Sequence, residues 1–307
     1  MSATPRVSVV IPTYLREGCL VNTLRYLLNQ CEPPDEIVVV DQTSQHLPWV
    51  DKCLNDLQRE GKVRWVRQGI ANASLARNRG AAEARFEVLL YLDDDIIPSP
   101  TLVRDHRRYY ESASVVAVAG QVFSGPEGMR EDFPVDQRDK LTRFLSGDAP
   151  RRVRWIIGSN FSVRRDLVIK LNGFDENFVP PGYYEENDFA ERLAKANYTI
   201  IADPGLWIIH LAVRSGGHRL VRDRFPGWHV SLGYFIFAFR HAREPAAFAK
   251  LFWRALRAGP LKKDEVCRPW RWVGGLAHFA VALFEGWRRA NAGLNSMFSR
   301  ERLERRQ

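Results

Sequence analysis

Apolar positions in this chain follow two periods, and the change from one to the other divides it. Val7-Ser-Val-Val-Ile11, Glu36-Ile-Val-Val-Val40 and Glu87-Val-Leu-Leu-Tyr-Leu92 are short, nearly continuous apolar runs. That is the form of strands covered on both faces of a parallel sheet. Between the first two, residues 18–30 place Leu20, Leu24, Leu27 and Leu28 at helical spacing, and Pro33-Pro34 stops the helix. Strand, helix and strand within ~35 residues read as a right-handed βαβ unit. The same reading predicts a strand over Lys62–Val66, a small-residue helix over Ser74–Arg85 and strands over Gly120–Phe123 and Tyr198–Ala202. Regular structure is expected again over Trp155–Val163, and an acidic helix over Glu185–Ala196 after the break at Pro180-Pro-Gly182. Residues 124–150, rich in Gly, Pro and charge, read as a long loop or lid. Acidic residues at strand ends describe an open α/β sheet with its ligand in the carboxyl-end crevice.

Past residue 214 the period is helical. Phe248, Leu251, Phe252, Ala255 and Leu256 share one face, as do Leu276, Phe279, Ala280, Leu283, Phe284 and Trp287. Trp228–Phe239 is apolar but shorter than the ~20 residues a bilayer span needs. Charge changes at the same boundary. The whole chain of 307 residues is formally +9, yet residues 214–307 hold 19 Lys and Arg against 7 Asp and Glu, with five of the nine Trp. The expected division is a catalytic part over 1–213 and an amphipathic helical extension over 214–307. A basic, aromatic-rich extension fits in-plane contact with an anionic membrane surface. Its apolar faces would equally suit packing on the catalytic part or a homo-oligomer interface. A nucleic-acid partner is not expected, because the aromatics lie on helical stripes rather than exposed strand platforms.

Composition, 45% hydrophobic and 26% charged, excludes collagen, coiled coil and wholesale disorder. Cys19, Cys31, Cys53 and Cys267 are widely spaced, without ligand-like pairs. With no signal-peptide pattern at the start, the expected location is the cytoplasm, peripheral to the inner face of the cytoplasmic membrane.

The chemistry concentrates in acids. Asp93-Asp94-Asp95 follows an apolar strand, and three adjoining carboxylates are costly unless a cation shares them. On an extended backbone Asp93 and Asp95 point to one side, so D-x-D offers two carboxylates to Mg²⁺ or Mn²⁺. A solvated acidic turn would carry the same letters. Asp41 also ends a strand, and Arg77 and Arg79 flank a small-residue helix start that could face a nucleotide.

In order along the chain, Val7-Ser-Val-Val-Ile-Pro-Thr-Tyr14, Ile37-Val-Val-Val-Asp-Gln-Thr-Ser44, Ala76-Arg-Asn-Arg-Gly80, Tyr91-Leu-Asp-Asp-Asp95, Gly158-Ser-Asn-Phe161, Gly173-Phe-Asp-Glu176 and Glu185-Glu-Asn-Asp-Phe189 with Arg192 resemble the motifs of family 2 inverting nucleotide-sugar glycosyltransferases of the GT-A fold, a Rossmann-like open mixed sheet flanked by helices. The resemblance covers residues 6–213 and implies a nucleotide-binding half over 1–118 and an acceptor half over 119–213. It implies a nucleotide diphosphate sugar, with UDP favoured, and a carbohydrate or lipid-linked hydroxyl acceptor in polysaccharide or glycolipid assembly. Pro12, Thr13 and Tyr14 would lie along the base, Asp41 would accept from its imide N–H, Arg77 would face the nucleotide, Asp93 would take the ribose side and Asp95 the metal, with Asp94 as the central residue of the nucleotide-binding motif. The family usually writes its base region E-D-x-D; here Glu186 replaces the second residue, which makes Glu186 the implied general base and Glu185 the fallback. These acids also suit a helix N-terminus for its dipole alone. His210 is implied near the metal or diphosphate, though a lone His after an apolar run is often structural. Trp155, Asn160, Tyr183 and Tyr184 fall where donor or acceptor sugar would lie, and core packing accounts equally well for Trp155. Arg151, Arg152 and Arg154 read as an acceptor-phosphate contact or a solvated cluster.

Three other readings compete. An NDP-sugar nucleotidyltransferase would want a Gly-rich basic loop after the first strand, where this chain reads Pro-Thr-Tyr-Leu-Arg-Glu. An inactive nucleotide-sugar-binding relative and a nucleic-acid binder are the others.

Overall fold

The computed structural model describes residues 4–126, 128–129, 132–178, 183–214, 216–217, 228–259, 261 and 269–299. The break at Pro180-Pro-Gly182, Cys267 and residues 218–227, just past the expected division at 213/214, lie outside them. One sheet organises the chain, in the order β3-β2-β1-β4-β9-β6-β10-β5. Its parallel half is β1 (Val7–Thr13), β2 (Glu36–Asp41), β3 (Arg64–Arg67) and β4 (Val88–Leu92). Alternation along these runs explains their continuous apolarity. Val7, Val9 and Ile11 face one core with Leu20, Leu24 and Leu27 of α1 (Gly18–Leu28). Val10, Val38 and Val40 face a second core with Tyr91, Phe161 and Phe174. α3 (Ala73–Glu83) packs on β1 so closely that a Cβ at Gly80 would overlap Val10 Cγ1.

The strand order reverses between β1 and β4, so the carboxyl ends there open a crevice. Thr13 and Asp93 flank it. Beyond β4 the sheet turns mixed. β9 (Asn160–Arg164) runs antiparallel to β4 and to β6 (Ala117–Ser124), and β10 (Ile200–His210) runs parallel to β6. The expected strand at 198–202 and the apolar segment 206–209 are one element, joined through a bulge between Asp203 and Trp207. β10 pairs with β5 (Ile96–Pro98) and delivers His210 opposite Ile96, beside the aspartates. α2 (Pro48–Arg59) and α4 (Leu102–Tyr109) fill gaps in the expected element order. Each does carry a helical period, in Val50, Cys53, Leu54 and Leu57 and in Leu102, Val103, His106 and Tyr109, which the sequence displays and the expected element order omitted. Within 124–150 the described residues form a short 3₁₀ turn over Val135–Lys140 and β7 (Thr142–Arg143), which pairs with β6; β8 (Arg151–Val153) pairs with β10.

α5 (Arg165–Lys170) and α6 (Glu185–Lys195) close the second face. The extension forms α7 (Trp228–His241), α8 (Pro245–Ala258) and α9 (Pro269–Asn291) around Leu232, Phe235, Ala255 and Phe279, with Phe178 of the catalytic part in the same cluster. After α9 the chain returns to the sheet, where Phe298 is buried in the second core. Among the described residues no helix is long and apolar enough to cross a membrane.

Candidate active site

A bend at Asp94-Asp95, between β4 and β5, sorts the three aspartates. Asp93 and Asp95 turn to one side, where His210 Nε2 lies 3.5 Å from Asp93 Oδ2 and 3.3 Å from Asp95 Oδ1. Asp94 turns to the other and accepts from Thr13 Oγ1 at 2.7 Å. Buried Arg16 runs between them, its Nη1 3.3 Å from Asp95 Oδ2 and its Nε 3.8 Å from Asp94. Asp95 Oδ2 also accepts from the Val213 amide at 3.0 Å. Burial disfavours the His210 cation, but Asp95 and Asp93 outweigh it and push the imidazole up to about 10. Burial likewise opposes ionisation of Asp95, and His210, Arg16 and the Val213 amide hold it below the usual carboxylate range. Asp94 keeps the cost of burial despite Arg16 and rises to about 7, with Asp95 adding to the rise.

One ligand atom from each of Asp93, Asp95 and His210 falls within 4.8 Å of the others. Arg16 and Val213 occupy Asp95 Oδ2, which leaves Oδ1 facing His210 and Asp93. Two carboxylates and an imidazole fit Mn²⁺, and Mg²⁺ with water and phosphate completing the shell.

The opposite wall comes from α3 and α6. Arg77, buried in the first half of α3, donates to Glu185 Oε1 at 2.9 Å. A Cβ on Gly158 would stand 2.6 Å from Arg77 Nη2 and 3.9 Å from Glu186 Cδ, so the glycine lets these three side chains converge. Arg77 commits Glu185 to an ion pair. Half-buried Glu186 is left with the penalty: desolvation first, then Glu185, raise it well above the ordinary glutamate range, against some relief from Arg77. Arg77 Nε and Glu185 Oε2 are buried and have no hydrogen-bond partner among the described residues. Between the walls lies a cleft of about 430 Å³, within the size range of small-ligand sites.

The structure brings Pro12, Thr13, Tyr14, Arg77, Asp93, Asp94, Asp95, Tyr183, Glu185, Glu186 and His210 to this cleft. Asp41, Asn160, Trp155 and Tyr184 do not line it, and neither do Arg79, Arg151, Arg152 and Arg154. Asp41 is fully buried, and its carboxylate accepts from His46 Nε2 (2.7 Å), Trp65 Nε1 (2.8 Å), the Thr43 amide (2.8 Å) and Arg67 (3.5 Å). Its carboxylate is therefore engaged by protein donors. Asn160 is a core residue, donating to the Gln121 and Leu206 carbonyls and contacting His106 Nε2, so it ties β6 to β10 across the bulge. Trp155 packs on the second core. Tyr184 stacks on Tyr234 and Phe237 of α7. Arg79 points outward to Glu83, and Arg154 to Glu191. Sequence reasoning missed Arg16 and Gln42, both of which line the cleft. The charge balance of three adjoining aspartates called for a cation, and Arg16 is part of that cation.

The sequence model of Glycosyl transferase family 2 matches residues 8–171. Over 185 residues the chain is 28% identical to the glucosyl-dolichyl phosphate glucuronosyltransferase of Haloferax volcanii, 56% of each chain being covered. It thus spans about half the length of that relative. Among solved structures, the mannosyltransferase PcManGT of Pyrobaculum calidifontis, in complex with GDP-Man and Mn²⁺, superposes with a TM-score of 0.54 at 20% identity, over 92% of this chain and 76% of that one. GalNAc-T7 with UDP, GalNAc and Mn²⁺ gives 0.57 at 13% identity, over 84% and 57%. These likenesses establish the mixed α/β fold that the sequence led us to expect.

Proposed function

The chain belongs to glycosyl transferase family 2, and we propose that it moves a sugar from a nucleoside diphosphate donor to a hydroxyl acceptor with inversion, using Glu186 as its single base. The observation that carries this reading is one cleft with Asp93, Asp95 and His210 clustered on one wall and Glu186, a carboxylate of raised proton affinity, on the other. The donor diphosphate would lie toward Asp93, Asp95 and His210, the residues that would hold a divalent ion. With Mn²⁺ or Mg²⁺ bound, the site supplies neutralisation of the diphosphate leaving group. Glu186 takes the proton of the acceptor hydroxyl as that oxygen attacks the anomeric carbon opposite the leaving group. Its raised proton affinity suits a base working near neutral pH. Glu185, held by Arg77, has no such freedom. The base would rest on the Pro12–Tyr14 loop. A UDP-sugar is the favoured donor, and the fold neighbours bound to UDP and to GDP-Man make the nucleotide the first thing to measure.

Thermal unfolding with UDP, dTDP, GDP, ADP and CMP, each with and without Mn²⁺, tests the reading. One nucleoside diphosphate should stabilise the protein, and only with metal. No response from folded protein to any of them would sink it.

A lipid-linked acceptor, in glycolipid or polysaccharide assembly, is the finer form of the proposal. It draws support from the dolichyl phosphate chemistry in the relative's name and from the surface of α9. Leu276, Val281, Phe284 and Trp287 are exposed along that helix, followed by Arg288. An apolar stripe with a basic flank suits in-plane contact with an anionic bilayer at the cytoplasmic face. Flotation with anionic liposomes should carry the protein, and Phe284→Glu should abolish it; a dimer by light scattering with no flotation would assign the stripe to a second copy instead.

A further inference from the structure

The turn that carries Glu186 is held by the C-terminal extension. Tyr184, immediately before α6, has φ +73°, a left-handed conformation that large side chains seldom adopt. Its ring packs on Tyr234 (4.7 Å between centroids) and Phe237 (5.1 Å), both on α7. One residue earlier, the Tyr183 carbonyl lies against Gly233 of α7, where any Cβ would overlap it. In the first turn of α6, Asp188 is fully buried and accepts at Oδ2 from Arg192 Nε (2.8 Å). Its Oδ1 receives His241 Nε2 at 2.8 Å, with Arg240 Nη1 3.6 Å away. Both of those donors close α7. His241 Nδ1 in turn meets Lys195 Nζ at 2.7 Å, so the imidazole bridges the two ends of α6. Arg240 pairs with Asp175 and donates to the Gly293 carbonyl at 2.7 Å, which ties the same point to the segment after α9. Backbone contact, ring stacking and a buried ion cluster thus converge on residues 183–188 from one helix. None of these groups lines the cleft except Tyr183.

We infer that His241 is a positioning residue for Glu186, acting through Asp188, and that α7 belongs to the catalytic apparatus whatever else the extension binds. This rests on the assignment of Glu186 as base. A carboxylate that must take a proton from a bound hydroxyl works only within a narrow range of placement. Asp188 sits two residues from Glu186 on the same helical turn, so releasing it on the α7 side frees the turn without touching the donor wall.

The test uses the full chain and a donor that the wild type hydrolyses, taken from UDP-glucose, UDP-N-acetylglucosamine, dTDP-glucose and GDP-mannose. His241→Phe, His241→Gln and Glu186→Gln are compared for kcat and KM of hydrolysis, for the Mn²⁺-dependent Kd of the matching nucleoside diphosphate, and for Tm. His241→Phe should lower kcat at least tenfold with the Kd unchanged within twofold. His241→Gln, which keeps a donor toward Asp188, should recover most of the rate. If His241→Phe turns over normally while Glu186→Gln is inactive, the positioning role is wrong and the base stands. A Kd that weakens in step with kcat, or no recovery in His241→Gln, would reduce His241 to a general structural part. Normal turnover by Glu186→Gln would overturn the base assignment and this inference together.

Discussion

Arg77 and Glu185 stand 108 residues apart in the chain and 2.9 Å apart in the fold, joined by a buried charge-assisted hydrogen bond. The pair holds Glu185 in a buried ion pair and leaves its neighbour Glu186 outside it, which is why the proposal assigns the base to Glu186. Removing the cation alone would strand a buried carboxylate beside Glu186. Arg77→Met should therefore cost on the order of 3 kcal/mol in urea unfolding, and Arg77→Met/Glu185→Met should recover part of that loss. Equal stability of the single variant and the wild type would mean that the pair is not formed in solution.

Glu186 carries the opposite balance. Its folded-state proton affinity is raised by burial and by Glu185, so the folded state is favoured below the ordinary glutamate range and loses stability as pH rises through the raised value. Glu186→Gln should thus raise Tm at pH 7 to 8, with the gain vanishing below about pH 4. The same variant should depress turnover by ~10²-fold. In the wild type, kcat should rise with pH along a limb displaced above the ordinary glutamate range. A variant that loses activity and stability together would contradict the assignment.

His210 links metal binding to protons. In metal-free protein its pairing with Asp95 and Asp93 raises it to about 10, so that stabilisation is complete below the ordinary histidine value of ~6.5 and is lost as pH climbs toward 10. An imidazole must be neutral to ligate. Mn²⁺ binding at pH 7.5 should then release close to one proton, read by calorimetry in buffers of different ionisation enthalpy. His210→Gln should remove the buffer dependence, and Asp95→Asn should weaken Mn²⁺ binding itself. Buffer-independent heats in the wild type would exclude His210 as a ligand.

Gly80 tests the contact between α3 and β1. Alanine would gain up to ~1 kcal/mol of helix propensity, but its Cβ would overlap Val10 Cγ1. Overpacking of this kind costs ~1–3 kcal/mol, so Gly80→Ala should be the less stable protein by chemical denaturation. Val10→Ala in the same chain should relieve the clash, and a double-mutant cycle should return a favourable coupling energy. Additive losses would place the helix farther from the strand than the structure has it.

What the sequence by itself determined is whatever short-range pattern can encode. Continuous apolar runs at Val7–Ile11, Ile37–Val40 and Val88–Leu92 had to be strands covered on both faces, and three aspartates at the end of the last had to need compensating positive charge. Seven ordered motifs carried the family and, with it, the cleft residues from Pro12 to His210. Tertiary structure decided the partners, because a partner is fixed by folding rather than by spacing. Asp41 and a base N–H would have matched chemically, but His46 and Trp65 reach that carboxylate first. Asn160 read as a sugar contact until the bulge in β10 left carbonyls for it to satisfy. Arg16, in the loop after β1, was a lone charge until the crevice folded it against Asp94 and Asp95, 78 and 79 residues away. The role of α7 was equally invisible, since an apolar helical stripe looks the same whether it meets a membrane, a second copy or the turn that carries Glu186.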